Sequence, residues 1–425
     1  MPKGTDALHY HARISKDVER AVEASLFFSA FTKDLKVTTG KGKQIIDVNG
    51  ESGIVNQIKG FDTANGLDSC LIPVQKPLEV PAVYGDQDLE ATGEKLSFNL
   101  KRCFINQGSK VVTLKEGNMS AYRERNLERS EERGVPAIVE FWSKQKNSEM
   151  ISALYEGHSY NTTVGLNNAP GGIGAKQALH PNMYYNTVNA TTGQSGSIIT
   201  IGSEKVNKTP AEINAKISTG YSDLTLPSPY MFDAVIEKLK KLKILEPVKF
   251  MGSKFYLCVA SLAVRRALMA NEAFIKRIDT LTDVLAEFRH NPYFSALDLV
   301  MDNVILKFDD IVSRPWNSTN STFMGTHYML ENSYASGENH AFLYFLGKGA
   351  LGAGLVDPVR VETQQRNFRQ AKEAALMEIY GYARGESVSD ADEANYFSKG
   401  NRTRTVNTSQ FDVLNQTSMM LACKV

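Results

Sequence analysis

The sequence predicts an α+β protein, and three patterns predict it. Apolar residues at Ile14, Val18, Ala21, Val22 and Leu26 recur at helical spacing among Lys16, Asp17, Glu19, Arg20 and Glu23, the pattern of an amphipathic helix. From Lys95 to Lys101 polar and apolar residues alternate one by one, the period of a half-exposed strand. Between 229 and 312 helix-type and strand-type patterns follow one another, which makes an α/β or α+β unit.

Met1 to Asp6 hold no apolar core, so no secretory signal is expected there and the protein is expected on the cytosolic side. The first helix runs from Ser15, a suitable N-cap, to Phe31. Its far end, Leu26-Phe27-Phe28, is apolar beyond one stripe, which makes Phe27 and Phe28 candidates for contact with a packing partner. Residues 33–52 are polar and glycine-bearing, as an arm that docks elsewhere would be. Pro73, Pro77 and Pro81 then divide extended segments. Leu71 to Val74 reads as strand, Asp86 to Gly93 as an acidic turn, and Lys95 to Lys101 as strand. Gln107-Gly108-Ser109 reads as a turn leading to a second strand candidate, Lys110 to Leu114, so that 53–113 forms a long two-stranded excursion.

From Met119 to Ala153 the pattern is helical. Arg123, Arg125, Arg129 and Arg133 interleave with Glu124, Glu128, Glu131 and Glu132. That run is either a solvated face or a face that pairs with a neighbouring copy. Ile138, Val139, Phe141, Trp142, Ile151 and Leu154 supply an apolar face. A continuous rod would span roughly 50 Å; Pro136 implies a kink, or a break with proline near the first position of the next helix. Residues 157–228 are polar loops with short strands such as Ser197 to Ile201. A helix opens at Pro227 and Pro229, followed by a buried-type strand from Phe255 to Ala260, a helix through Val264 and Leu268, and a strand from Asp302 to Phe308. The tail adds a helix from Asn367 to Tyr380 and a strand from Met419 to Cys423.

Composition excludes several function classes. The 425 residues carry 48 Lys+Arg against 47 Asp+Glu, whereas a dedicated nucleic-acid reader shows a basic excess. With 42% apolar and 22% charged residues, wholesale disorder and collagen are ruled out. The longest apolar stretch, Tyr256 to Val264, has nine residues against the roughly 18–20 a membrane span needs. Cys70, Cys103, Cys258 and Cys423 form no CxxC pair, so free thiols are expected. Gly347-Lys348-Gly349-Ala350-Leu351-Gly352 matches GxGxxG, but Asp357-Pro358 stops the helix that a dinucleotide loop must open. The glycines near Gly40 lack P-loop spacing, the seven histidines form no HExxH motif, the His9-Tyr10-His11 pair is expected in a solvated tail, and no nucleophile elbow is present. No catalytic, cofactor-binding or metal-binding residue is expected, and no cofactor.

The stretch Gly85-Asp86-Gln87-Asp88-Leu89-Glu90-Ala91-Thr92-Gly93-Glu94-Lys95-Leu96 resembles the signature of a tailed-phage major capsid protein family, typified by the coat of the N-four group of podoviruses. The order of the later segments is similar to that family too: a charged helix ending near Trp142, the strand–helix unit Tyr256 to Leu268, Asn291-Pro292-Tyr293-Phe294 before the Val304 strand, and Leu346-Gly347-Lys348-Gly349-Ala350-Leu351. The resemblance, over roughly 15–420, implies a Hong Kong 97-type fold. Its parts would be an N-terminal arm (1–52), an extended β-hairpin loop (53–113), a peripheral domain with a spine helix and a polar insertion (114–228), an axial domain (229–340) and a C-terminal segment returning to the peripheral domain (341–425).

The implied function is a major capsid protein whose copies form hexamers and pentamers of an icosahedral virion shell, assembled in the host cytoplasm around double-stranded DNA that it does not read. It implies no enzyme and no membrane, and as partners the chain itself, scaffolding and portal proteins, and decoration proteins. Candidate contacts between copies are then Phe27, Phe28, Asp86, Glu90, Glu94, Arg102, Arg123, Glu124, Arg125, Glu128, Arg129 and Arg133. The alternatives are an encapsulin-like compartment shell and a nucleotide-using α/β enzyme built on the 347–352 loop.

Overall fold

The computed structural model describes residues 16–35, 37–40, 43–46, 53–59, 69–75, 98–115, 136–147, 149–151, 153–154, 183–188, 195–200, 226–242, 245–250, 253–279, 298–301, 303–308, 331–333, 339–366, 371–385 and 417–424. Their strands, in chain order, are β1 (Thr32–Leu35), β2 (Val37–Gly40), β3 (Lys43–Ile46), β4 (Val55–Lys59), β5 (Ser69–Gln75), β6 (Phe98–Phe104), β7 (Asn106–Lys115), β8 (Met183–Val188), β9 (Ser195–Thr200), β10 (Val248–Phe250), β11 (Ser253–Ala260), β12 (Leu299–Met301), β13 (Val304–Phe308), β14 (Glu331–Ser333), β15 (Asn339–Leu346), β16 (Leu351–Arg366), β17 (Ala371–Arg384) and β18 (Ser418–Lys424). Among the described residues the architecture is mixed, rich in sheet with few helices.

The uncharged run Phe255 to Ala260 forms the inner strand β11 of a nine-stranded sheet. Its order is β12-β13-β11-β15-β18-β8-β9, with β10 beside β11 and β14 beside β15. Alternation along β11 sends Phe255, Leu257 and Val259 into one core and Tyr256, Cys258 and Ala260 into another. On β15, Tyr344 and Leu346 join the first core, while Ala341, Leu343 and Phe345 join the second. A strand covered on both faces reads as an unbroken apolar run, which is why these segments show no polar alternation.

Three helices cover the second face. The helix Pro229–Leu242 contributes Met231, Phe232, Val235, Ile236 and Leu239. Proline stands at its first position and Ser228 Oγ accepts from Met231 N at 3.3 Å, an N-terminus in which no helical donor is wasted on proline. The helix Leu262–Met269 is capped by Ser261, and Glu272–Asp279 by Asn271, whose Oδ1 accepts from Ala273 N at 3.0 Å.

The first face packs on a five-stranded sheet, ordered β1-β4-β16-β17-β7, and on two helical segments. One is 16–25, docked through Val18 and Val22; the other covers 136–147, 149–151 and 153–154 and is called the 136–154 helix. Pro136 is the first described residue of that helix, so the rod expected from Met119 and the kink or break expected at Pro136 lie outside the described residues. The long hairpin β16–β17 shifts register twice between Leu355 and Arg360, where Pro358 lies; a bulge is where a strand tolerates a residue without an N–H.

Three expectations fail. The segment expected as a helix over Asn367 to Tyr380 is, where described, strand β17. Leu376, Glu378, Tyr380 and Tyr382 are all buried with less buried Met377 and Ile379 between them, a period of two imposed by β16 and β7 on a sequence whose Ala, Glu, Leu and Met favour helix. The turn expected at Gln107-Gly108-Ser109 lies inside β7, which pairs with β17. The first helix ends at 25, followed by a turn and the 3-10 segment Ser29–Phe31. The other two strands expected in the excursion are β5 and β6, paired with each other so that Cys70 stands opposite Cys103.

Gly108 sits in a strand because the Trp142 ring lies on it. A Cβ there would stand 2.8 Å from Trp142 Cη2 and 3.2 Å from Tyr380 Cε1. Gly108→Ala is expected to lower stability by about 1–3 kcal/mol, the usual effect of overpacking. Equilibrium denaturation of the two proteins checks this, and equal midpoints would contradict it.

Candidate functional site

The chain leaves the larger sheet at Leu346 and enters the smaller at Leu351, so Gly347 to Ala350 cross between them. Buried backbone N–H groups must find acceptors, and each one here does. Gly347 N donates to Thr417 O at 2.9 Å, Lys348 N to Glu246 O at 2.9 Å, Gly349 N to Gly53 O at 2.8 Å, Ala350 N to Gly347 O at 3.3 Å and Leu351 N to Ile54 O at 3.0 Å. Gly385 closes the crossing: its N donates to Ala350 O at 2.8 Å, and Thr417 Oγ1 donates to its carbonyl. Gly349 adopts φ +70°, a left-handed conformation that side chains resist. A Cβ on Gly385 would lie 1.9 Å from Gly349 O. This is the GxGxxG run. It opens a strand, and its N–H groups already have protein acceptors, so no cradle for phosphate exists there.

Beside the crossing, Leu26 to Phe31 wedges between the sheets. Phe28 is 1% exposed and Phe27 7%; their rings meet edge to face with centroids 4.9 Å apart. Phe27 N donates to Asn147 Oδ1 at 2.8 Å, and the Lys307 ammonium lies 4.7 Å from the Phe27 ring centre, a cation–π contact from the larger sheet.

The 136–154 helix is fixed to β17 by polar groups. Glu378 accepts from Trp142 Nε1 at 2.6 Å and from Lys146 Nζ at 2.5 Å. Arg384, 1% exposed, donates from Nη1 to Leu154 O at 2.9 Å, placing a cation where the helix carbonyls end. Glu149, buried beside this pair, accepts from Gln145 Nε2 at 2.5 Å. Burial pushes its carboxyl up to about 7, against the opposing pull of the Gln145 and Tyr380 side chains and of the Lys146 charge. Burial likewise raises the thiols of Cys258 and Cys423, which makes them unreactive core residues.

Strands β1 and β10 each pair on one side only among the described strands. Between them opens a cleft of about 540 Å³, lined by Lys33, Lys249, Lys254, Lys348 and Glu246 among others. Four lysines and one glutamate line it, and Lys348 Nζ lies 3.8 Å from Glu246 Oε2. Among the described residues no His, Cys, Asp and Glu cluster fits a metal ion, and no helix is long and apolar enough to cross a membrane.

Of the candidate contact residues, Phe27 and Phe28 lie in the chain's own core. Arg102 lies on β6 opposite Leu71. Asp86, Glu90, Glu94, Arg123, Glu124, Arg125, Glu128, Arg129 and Arg133 fall outside the described residues. The Lys146–Glu378–Trp142 cluster and Glu149 are absent from the sequence expectations. A signal was available: Trp142, Lys146, Glu149 and Met150 share one stripe of a helix, so two charges sit within its apolar face.

Comparison with solved structures finds the same fold elsewhere. The capsid of Ralstonia phage GP4 is similar over 94% of this chain and 90% of its own, with a TM-score of 0.54 at 13% identity. The capsid asymmetric unit of cyanophage Pam1 is similar over 94% of this chain and 92% of its own, with a TM-score of 0.50 at 11% identity. No family model matches the sequence, and no curated protein matches it.

Two substitutions probe the joint. Gly385→Ala is expected to prevent native folding, because the 1.9 Å approach is to backbone; soluble protein with an unchanged circular dichroism spectrum would refute the geometry. Glu378→Ala leaves the Lys146 ammonium without its buried partner and is expected to cost about 3–5 kcal/mol in chemical denaturation.

Proposed function

We propose that the chain is the major capsid protein of a tailed bacteriophage. Its copies would form the hexamers and pentamers of an icosahedral shell enclosing double-stranded DNA, as a structural protein and a component of the virion. One observation carries the reading: the fold likeness to two phage capsids runs through nearly the whole length of each chain. The resemblance of residues 85–96 to a capsid signature supports it independently, since those residues lie outside the described ones. The enzyme reading loses its loop to protein carbonyls. The capsids matched are those of phages, which favours a genome shell over an encapsulin-like compartment.

The finer plan belongs to the same proposal. The Hong Kong 97-type parts are the arm 1–52, the hairpin loop 53–113, the peripheral domain 114–228, the axial domain 229–340 and the returning segment 341–425. Scaffolding, portal and decoration proteins are its proposed partners, and the host cytoplasm its place of assembly. Contact between copies is assigned to Asp86, Glu90, Glu94, Arg102 and the charged run Arg123 to Arg133, with head-to-tail pairing that closes rings. Phe27 and Phe28, covered by their own chain, seat the root of the arm instead. The acidic Asp86–Glu94 segment and the lysine-lined cleft have opposite charge, which supports a contact between them on neighbouring copies.

Full-length protein, expressed alone and with a scaffolding protein, should sediment as rings or closed shells and show them in negative-stain microscopy. Monomers under both conditions would refute the reading. Lys254→Glu should raise the concentration needed for assembly about tenfold, roughly 1.4 kcal/mol per contact, with an unchanged subunit spectrum. Adding Glu90→Lys should reverse much of that increase; no reversal would reject the contact while leaving the capsid reading in place.

A further inference from the structure

Where the middle of the 136–154 helix lies on β17, two buried carboxyls, Glu149 and Glu378, share the neighbourhood of one buried ammonium, Lys146. Glu378, 2% exposed, holds the Lys146 ammonium and the Trp142 indole N–H at 2.5 and 2.6 Å. The same ammonium lies 5.0 Å from the centre of the Tyr380 ring. Glu149 is buried beside them. Its Oε1 accepts from Gln145, and its Oε2 has no hydrogen-bond partner. From the 16–25 helix, Glu19 faces the same group: burial and the charges of Glu23 and Glu378 raise its carboxyl, while Lys59 and Lys146 oppose the rise. The groups facing Glu149 are therefore Lys146 and Gln145 from its own helix and Glu378 and Tyr380 from β17, with Glu19 at the margin. The single buried ammonium already serves Glu378.

We propose that Glu149 is a proton-operated catch. As the neutral acid it lets the 136–154 helix seat on β17; as the carboxylate it competes with Glu378 for Lys146 and loosens the Trp142 and Lys146 bonds that hold the helix down. The orphaned Oε2 is the physical reason, because an ionised oxygen without a donor is far more costly to bury than a neutral one. Burial supplies the operating range: the carboxyl is raised from 4.5 to about 7. A raised carboxyl weighs nothing against folding below its unfolded value near 4.5, where it is neutral in both states. Its penalty grows as pH rises from 4.5 towards 7 and is constant above that. The catch is thus closed on the acid side of neutrality and open on the alkaline side. It belongs to the subunit and does not require the shell.

The chain contains two tryptophans, Trp142 within the cluster and Trp316 outside the described residues, so Trp316→Phe leaves Trp142 as the sole tryptophan, a reporter on the catch itself. In that background the emission of Trp142 between about pH 5.5 and 8.5 should change in one step with a midpoint near 7. Adding Glu149→Gln, a neutral isostere, should abolish the step and hold the acid-side emission throughout, with circular dichroism confirming the fold. Thermal unfolding midpoints should fall from pH 5.5 to 7 in the parent protein and lose most of that slope in the Glu149→Gln variant. An emission step that survives in the variant, or no step at all in the Trp316→Phe protein, would overturn the proposal. The second of these does not depend on the Glu149→Gln variant folding.

Discussion

Five consecutive backbone N–H groups, from Gly347 to Leu351, all donate to carbonyls of the protein, and that crossing sets the relation between the two sheets. The remote acceptors are Gly53 and Ile54, immediately before β4; Glu246, just before β10; and Thr417, immediately before β18. Gly385, immediately after β17, adds its own N–H to Ala350. Ends of strands from both sheets are therefore tied to one short turn. Because a buried N–H without an acceptor costs about as much as the bond it lacks is worth, or more, none of these ends can move without disturbing several others. The close packing at Gly385 follows from the same crowding: the Gly349 backbone and the Thr417 hydroxyl occupy the volume a side chain would need.

The rest of the first core extends this joint. The larger sheet has apolar residues on both faces, so the face turned towards the smaller sheet must be covered or collapse onto something. Phe27, Phe28 and Phe31 fill the wedge beside the crossing, and the 136–154 helix closes the remaining side. In its second half nearly every described residue of that helix is buried. Polar side chains there need partners inside the protein, and they have them in Phe27 N for Asn147, Glu378 for Lys146 and Gln145 for Glu149. The interior polar network is thus a consequence of covering a doubly apolar sheet with a helix that still carries charges.

Elements that answer to local rules were readable from the sequence. The helix at Pro229, with Ser228 and proline at its start, and strands β11, β13 and β18 all lie close to where periodicity and caps place them. Elements decided by neighbours were not. Residues 371–380 have the composition of a helix, yet β16 and β7 flank them on either side and impose strand. Gly108 carries the local mark of a turn but is there to admit the Trp142 ring. The glycine run at 347–352 was recognisable as a special backbone, but its purpose depends on Gly53, Glu246, Thr417 and Gly385, residues up to about 300 positions away. Likewise Lys146 and Glu378 become partners only when β17 is known to be a strand beside that helix.

A body held so firmly at its joint has its freedom to interact at the sheet edges. An exposed strand edge invites pairing with any other strand, and lysine is a common guard against it. Here Lys33 lies on β1 and Lys249 on β10, the strands that flank the basic cleft. In the contact proposed above, the same charges that repel an indiscriminate strand would favour an acidic one, with discrimination from charge rather than from the backbone. The balance of 48 basic against 47 acidic residues then has a local meaning. The excess positive charge of the cleft must be matched by excess negative charge elsewhere on the same chain, and Asp86, Asp88, Glu90 and Glu94 are such an excess in sequence. A chain that is neutral overall yet divided into complementary patches carries little long-range repulsion against its own copies while keeping short-range specificity, which is the electrostatic requirement of the self-assembly proposed above.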